Sequence, residues 1–244
     1  MKYFTTFAPE MSNSYFQFKQ FRISQDRCAM KVGTDGTLLG AWAHGGKTIL
    51  DIGTGTGVIA LMMAQRFAET SVTAIDIDAD ACRQAEANVA ASPFASRVRV
   101  RHIALQDFAR SDAFHEADDT PRYSSIVCNP PFFNDSLHSP DLQRTIARHT
   151  TSLSYRQLFL SAARLLVEEG ELSVVIPTEC RSALDTEAVV AGFFPSRVCA
   201  VFTSERKPPR RYLLAYRRTP VAVETTRLLL GSPDHRALMS DFML

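Results

Sequence analysis

Short apolar runs alternate with helical stretches along this chain, the order expected of a largely parallel sheet with helices on both faces. Runs at residues 48–51, 72–76, 98–102, 125–128 and 172–176 are rich in Val, Ile and Leu and predict five strands. Residues 58–67 predict a helix after the first strand. Residues 78–88 predict another, with Asp78 as its N-cap. A third is expected near 154–168, closed by Gly170 where a C-cap glycine is favoured. Pro177 ends the fifth strand, and 197–202 with 212–216 predict an antiparallel hairpin at the sheet edge. Residues 111–122 are polar and acidic and contain Pro121, as a surface loop would.

Composition narrows the classes. A chain of 244 residues with 45% hydrophobic and 22% charged residues suits one α/β domain. We divide it into an N-terminal segment, 1–44, and a catalytic domain, 45–244. No apolar run approaches the length of a membrane span, and the first ten residues lack a signal-peptide pattern. Cys28, Cys82, Cys128, Cys180 and Cys199 are too scattered for a disulfide framework or a zinc site. A cytoplasmic protein without membrane or metal is expected, and the sequence carries no signal for oligomeric state. The net charge of +1 means that any nucleic-acid contact must use clustered basic residues.

The turn after the first strand reads Asp51-Ile52-Gly53-Thr54-Gly55-Thr56-Gly57. Glycines let the backbone turn sharply and let a ligand approach closely. A dinucleotide fingerprint would place its third glycine where this chain has Val58, and Asp51 would repel a pyrophosphate. An acid at that position suits an ammonium group instead. S-adenosylmethionine, with an amino acid end and no phosphate, fits. Asp76, ending the next strand, is placed to hold a ribose diol, with Ile77 against the adenine.

After the fourth strand stands Asn129-Pro130-Pro131-Phe132. The Asn129 side-chain oxygen and the Pro130 carbonyl can accept both hydrogens of a planar NH₂ group, and Phe132 can stack on its plane. Orientation of this kind supplies much of the rate for a nucleophile facing a reactive donor.

These two motifs resemble the class I methyltransferases of the amino-methylating type. The stretches 16–21 and 25–42, with Gly231-Ser232-Pro233-Asp234, resemble the bacterial tRNA1(Val) adenine-37 N6-methyltransferase family. That resemblance covers residue 16 to the C-terminus. It implies a Rossmann-like, seven-stranded, mostly parallel sheet whose last strand is inserted antiparallel. It implies Asn129, Pro130, Pro131 and Phe132 at the target amine, and Asp51, Gly53, Thr54, Gly55, Gly57, Asp76 and Ile77 around the cofactor. Lys31, Thr34 and Asp35 would form a lid over the methionine end, although Asp35 and Gly36 also read as a turn capping the helix over 37–43. One departure is Ala104, where many relatives carry an acid for the cofactor's adenine. Backbone groups around Leu105, or the Gln106 side chain, are the candidate replacements.

Two basic clusters are candidate RNA contacts: Arg144 and Arg148 with His149, and Arg206, Lys207, Arg210 and Arg211. Both are expected near the C-terminal rim of the sheet. The acceptor implied is adenine 37 of tRNA1(Val). Release-factor glutamine and ribosomal guanine N2 also present a planar NH₂, and a non-catalytic RNA-binding assembly factor is the alternative from another class.

Overall fold

The structure, a computed structural model, describes residues 14–27, 31–110, 123–130 and 153–243. A two-stranded ribbon, β1 (Tyr15–Gln17) and β2 (Arg22–Ser24), precedes α1 (Thr34–Trp42). The sheet then begins: β3 (Thr48–Ile52), α2 (Val58–Arg66), β4 (Ser71–Asp76), α3 (Ala79–Ala90), β5 (Val98–His102), a short α4 (Leu105–Phe108) and β6 (Tyr123–Cys128). It continues with α5 (Tyr155–Leu165), β7 (Leu166–Pro177), α6 (Arg181–Val190), β8 (Phe194–Phe202), β9 (Arg211–Arg217), β10 (Glu224–Leu229) and α7 (Pro233–Met239).

The α/β class expected from the sequence holds. Strand order in the main sheet is β10-β8-β9-β7-β6-β3-β4-β5, with β9 antiparallel to both neighbours and the other pairs parallel. The order reverses between β3 and β6. An open α/β sheet leaves a crevice at such a switch point, at the C-terminal ends of the two strands. One face packs Leu38 and Leu39 of α1 with Ile59 and Leu61 of α2 and Val89 of α3. The other packs Phe108 of α4, Leu158 and Phe159 of α5 and Leu184 of α6.

Asp78 does cap α3, its carboxylate accepting the Asp80 amide at 2.8 Å. Ser154 opens α5 through a reciprocal capping box with Gln157. Three expectations need correction. The helix begun at Ser154 ends at Leu165, because Leu166 is buried, extended (φ −85°, ψ 138°) and already paired with Tyr123 of β6. Gly170 therefore lies within β7 and is no helix cap: a Cβ there would come 2.6 Å from the Leu166 side chain, which would have to shift. Among the described residues the sheet has eight strands, not seven, and the last strand is not the antiparallel one. β10 adds in parallel beyond β8 and displaces the β8–β9 hairpin from the edge. The expected loop at 111–122 lies outside the described residues.

Within β7, Glu171 is 3% exposed and accepts hydrogen bonds from Arg197 Nη2 at 2.6 Å, Arg217 Nε at 3.4 Å and Ser196 Oγ at 3.2 Å. Burial alone would raise the Glu171 carboxyl, but Arg197, His44 and Arg217 together hold it below its ordinary 4.5. Its contribution to stability is complete above that ordinary value and is lost as pH falls through the lower folded value. Glu171→Gln leaves Arg197, whose side chain is 11% exposed, without its counter-charge. It is expected to cost about 3–5 kcal/mol at neutral pH and less in acid. Urea unfolding at both pH values checks this; an equal loss at the two would refute the charge argument.

Candidate active site

The register of the sheet assembles the site. Ile52 of β3 pairs with Cys128 of β6 on one side and with Ile75 of β4 on the other. Gly53, Asn129 and Asp76 therefore leave three neighbouring strands at one edge, about 5 Å from strand to strand. The Gly53 and Thr54 amides both donate to the Ile75 carbonyl, at 2.9 and 3.0 Å, which folds the turn over the end of β4. Gly53 takes φ +71°, and a Cβ there would meet nothing within 4 Å, so the loop presents an open cradle. Gly57 takes φ +83° as the N-cap of α2 and lies close against Ala85 of α3.

Asp51 is fully buried. Its Oδ2 accepts from Thr54 Oγ1 at 2.6 Å and from the Ala60 amide at 3.1 Å, tying the turn to the first turn of α2. Its Oδ1 has no hydrogen-bond partner among the described residues. Burial raises this carboxyl to about 7, the bonds from Thr54 and Ala60 oppose the rise, and Asp76 adds to it. A buried acceptor left open is costly unless a ligand completes it. An ammonium group would do so, and the donor set therefore fits the amino acid end of S-adenosylmethionine.

Asp76 accepts the Gly55 amide on Oδ2 at 2.8 Å and the Asp78 amide on Oδ1 at 2.9 Å. Each oxygen keeps a second lone pair, enough for a diol. Ile77 is 55% exposed beside it, and His102 Nε2 lies 2.9 Å from the Ile77 carbonyl. The Leu105 side chain is buried at the start of α4, so what it offers a ligand is backbone; Asp107 points outward and is exposed. Asn129 Oδ1 is buried and also has no partner among the described residues, and Pro130 is buried next to it. Pro131, Phe132, Arg144, Arg148 and His149 lie outside the described residues.

Lys31 and Thr34 are exposed. The first turn of α1 sits on the start of α2: a Cβ on Gly36 would touch Val58 and Ile59 at 3.7–3.8 Å. α1 begins at Thr34, with Gly33 as its N-cap and Asp35 inside the first turn, so Asp35 does not cap it from outside. Asp35 is instead paired with Arg211 at 2.8 Å. Arg206, Lys207 and Arg210 are exposed in the turn before β9. That turn stands at the expected rim, since Arg211 pairs with Pro177 at the C-terminal end of β7.

Sequence reasoning missed Asn88 and Gln84 on α3. Asn88 Nδ2 donates to the Thr56 and Ser24 carbonyls, both at 2.9 Å, and its Oδ1 accepts the Ser24 amide at 2.8 Å. Gln84 Oε1 accepts the Arg27 amide at 3.0 Å. The available signal was a pair of amides four residues apart on the buried face of the helix, beside Ala81, Ala85 and Val89. Among the described residues no group of three or more His, Cys, Asp or Glu side chains could hold a metal ion.

A glycine turn over an acid-ended strand, beside an Asn-Pro corner on the next strand, defines a methyltransferase of the class I fold. The methyltransferase small domain model matches residues 37–194. The chain is 49% identical to a tRNA1(Val) (adenine(37)-N6)-methyltransferase of Phocaeicola vulgatus and 45% identical to one of Parabacteroides distasonis. In each case 96% of this chain and 99% of the relative are covered. Among solved structures, a predicted O-methyltransferase from Agrobacterium tumefaciens superposes with a TM-score of 0.63 at 17% identity, over 85% of this chain and 96% of that one. A ribosomal protein L11 methylase from Lactobacillus delbrueckii gives 0.53 at 17% identity, over 81% and 84%. The chain belongs to the tRNA1(Val) (adenine(37)-N6)-methyltransferase family.

If Asp51 meets the cofactor's ammonium, its raised carboxyl would make that binding pH-dependent, because a proton taken up below about 7 would compete with the ammonium. Affinity is expected to fall with decreasing pH, by up to about tenfold per unit. Calorimetry with S-adenosylhomocysteine at several pH values reads this directly. Asp51→Asn is expected to bind weakly and without that slope; an unchanged slope in the variant would assign the proton elsewhere.

Proposed function

We propose that this protein transfers a methyl group from S-adenosylmethionine to the exocyclic N6 of adenine 37 in the anticodon loop of tRNA1(Val). The observation that carries the reading is the pairing of Ile52 with Cys128, which puts the open Asp51 Oδ1 and the open Asn129 Oδ1 at one corner of the sheet. The first is an acceptor for an ammonium, the second for an amine hydrogen. The names of relatives 42–49% identical over 96% of this chain support the choice of tRNA.

When bound, the cofactor supplies an electrophilic methyl on a sulfonium. The chain's own groups bind and orient. Asp51 holds the amino acid end, the loop at Gly53, Thr54, Gly55 and Gly57 cradles it, and Asp76 takes the ribose. Ile77 covers the cofactor's adenine, and backbone at Leu105 meets its edge. Asn129 and the Pro130 carbonyl accept the two hydrogens of the target amine and so aim its lone pair at the methyl. Phe132 stacks on the target base. No strong general base is needed, because the nitrogen loses its proton after it has gained the methyl. Residues 1–44 cover the cofactor site, with Lys31 and Thr34 on its outer side. Arg206, Lys207 and Arg210 meet phosphates, as do Arg144 and Arg148. A base buried in a stacked anticodon loop must be turned outward to reach this corner. The tRNA named for the relatives supports a cytoplasmic place of work. Separately, no described helix is long and apolar enough to cross a membrane.

Mass spectrometry of tRNA nucleosides from cells with and without the gene tests the reading. Loss of N6-methyladenosine at that position is expected, and unchanged levels would sink the tRNA assignment. In vitro, labelled methyl should enter tRNA but neither ribosomal RNA nor release factor. Asn129→Ala is expected to lower kcat by about a hundredfold while cofactor affinity stays near its original value. Retained turnover in that variant would remove Asn129 from the reaction.

A further inference from the structure

Two segments that the sequence assigns to different ligands are joined by an ion pair. Arg211 Nε donates to Asp35 Oδ2 at 2.8 Å, and the side chains are 31% and 23% exposed. Both ends are anchored. On one side, Asp35 lies in the first turn of α1, where an acid is favoured by the helix dipole, and that turn rests on Val58 and Ile59 directly after the glycine loop. On the other, Arg211 opens β9 in register with Pro177 of β7 and Val201 of β8. The turn before it is closed by the Arg210 amide on the Val201 carbonyl at 2.9 Å and by Thr178 Oγ1 on the Pro209 carbonyl at 2.6 Å. That turn displays Arg206, Lys207 and Arg210 to solvent.

We propose that Asp35 and Arg211 act as one positioning unit that couples cofactor binding to RNA binding, each through the other, and that neither serves a ligand of its own. The inference rests on the proposed function, since it takes RNA as the ligand of the basic turn. A pair mostly withdrawn from solvent is screened less than a surface pair and holds its geometry. RNA that settles the basic turn thereby settles Arg211, the first turn of α1 and the roof of the glycine loop. By linkage the cofactor must strengthen RNA binding by the same factor.

A double-substitution cycle in the full chain tests it. Asp35→Asn, Arg211→Gln and the double variant are each titrated with S-adenosylhomocysteine, with and without tRNA, and with tRNA, with and without S-adenosylhomocysteine. Thermal unfolding is run alongside. If the pair is one unit, Arg211→Gln loosens the cofactor by about fivefold, Asp35→Asn loosens tRNA, and the double variant is no worse than either single one. Arg211→Lys, which keeps the charge, should retain most of the coupling. If instead each substitution weakens only its own ligand and the two losses add, the residues act separately and the proposal is overturned. A wild-type protein whose cofactor affinity is the same with and without tRNA overturns it equally. Failure of the unaltered protein to methylate any tRNA would strike at the functional reading itself, and this inference would fall with it.

Discussion

The site depends on the parallel pairing of β3 with β6 across the switch point of the sheet. Among the described residues nothing local joins residue 53 to residue 129; the register of the two strands does. The far ends of the strands fix it. Thr48 and Ser124 exchange hydrogen bonds, with the Thr48 amide donating to Ser124 Oγ at 3.0 Å and Ser124 Oγ donating to the Thr48 carbonyl at 2.9 Å. Ser125 Oγ donates to the His44 carbonyl at 2.6 Å. A slip of one residue would turn Asp51 and Val127 to the opposite faces and move Asn129 by about 3.3 Å along the sheet. Polar clamps at the base of the sheet thus set a distance at its top.

The two acids at this corner spend some of their hydrogen-bonding capacity on structure and leave the rest open. Asp51 Oδ2 holds the loop to α2, while Oδ1 stays open; Asp76 receives two backbone amides and keeps lone pairs to spare. Burying a carboxylate with one oxygen unmet costs free energy that a purely structural residue would not retain. A neutral hydrogen-bonding side chain would hold the turn at lower cost. The open oxygen therefore points to a cationic ligand more directly than the glycines, which would serve any close-approaching molecule. Asn88 adds a third support, joining the carbonyl of Thr56 to β2. Held to α2, to β4 and to β2, the loop has little freedom left to lose on binding.

What the sequence made legible was local. The strand, turn and helix at 48–66, the Asp78 cap and the Asn129 corner each carry their signal within a few consecutive residues, and each appears where expected. What escaped was made by distant partners or by weak pattern. In β10 only Leu228 is buried, so its faces show no alternation to read. Gly170 lies near a helix end in sequence but sits in a strand against the Leu166 side chain. Asp35 and Arg211 stand 176 residues apart, and each read as a contact for a separate ligand until the fold paired them. The amides of Gln84 and Asn88 become meaningful only once the N-terminal segment is laid over α3.

The corner at Gly53, Asn129 and Asp76 and what surrounds it carry different information. The fold of the sheet is shared with solved structures only 17% identical to this chain, so the sheet itself selects no acceptor. The small-domain model ends at residue 194 and begins at 37. Outside those bounds lie the ribbon β1–β2, held to the glycine loop by Asn88, and the basic turn before β9, held to α1 by Asp35. The ribbon reaches the glycine loop through Asn88, and the basic turn reaches α1, whose first turn lies on Val58 and Ile59 at the start of α2. On the proposed reading, choice of acceptor and hold on the cofactor share these contacts.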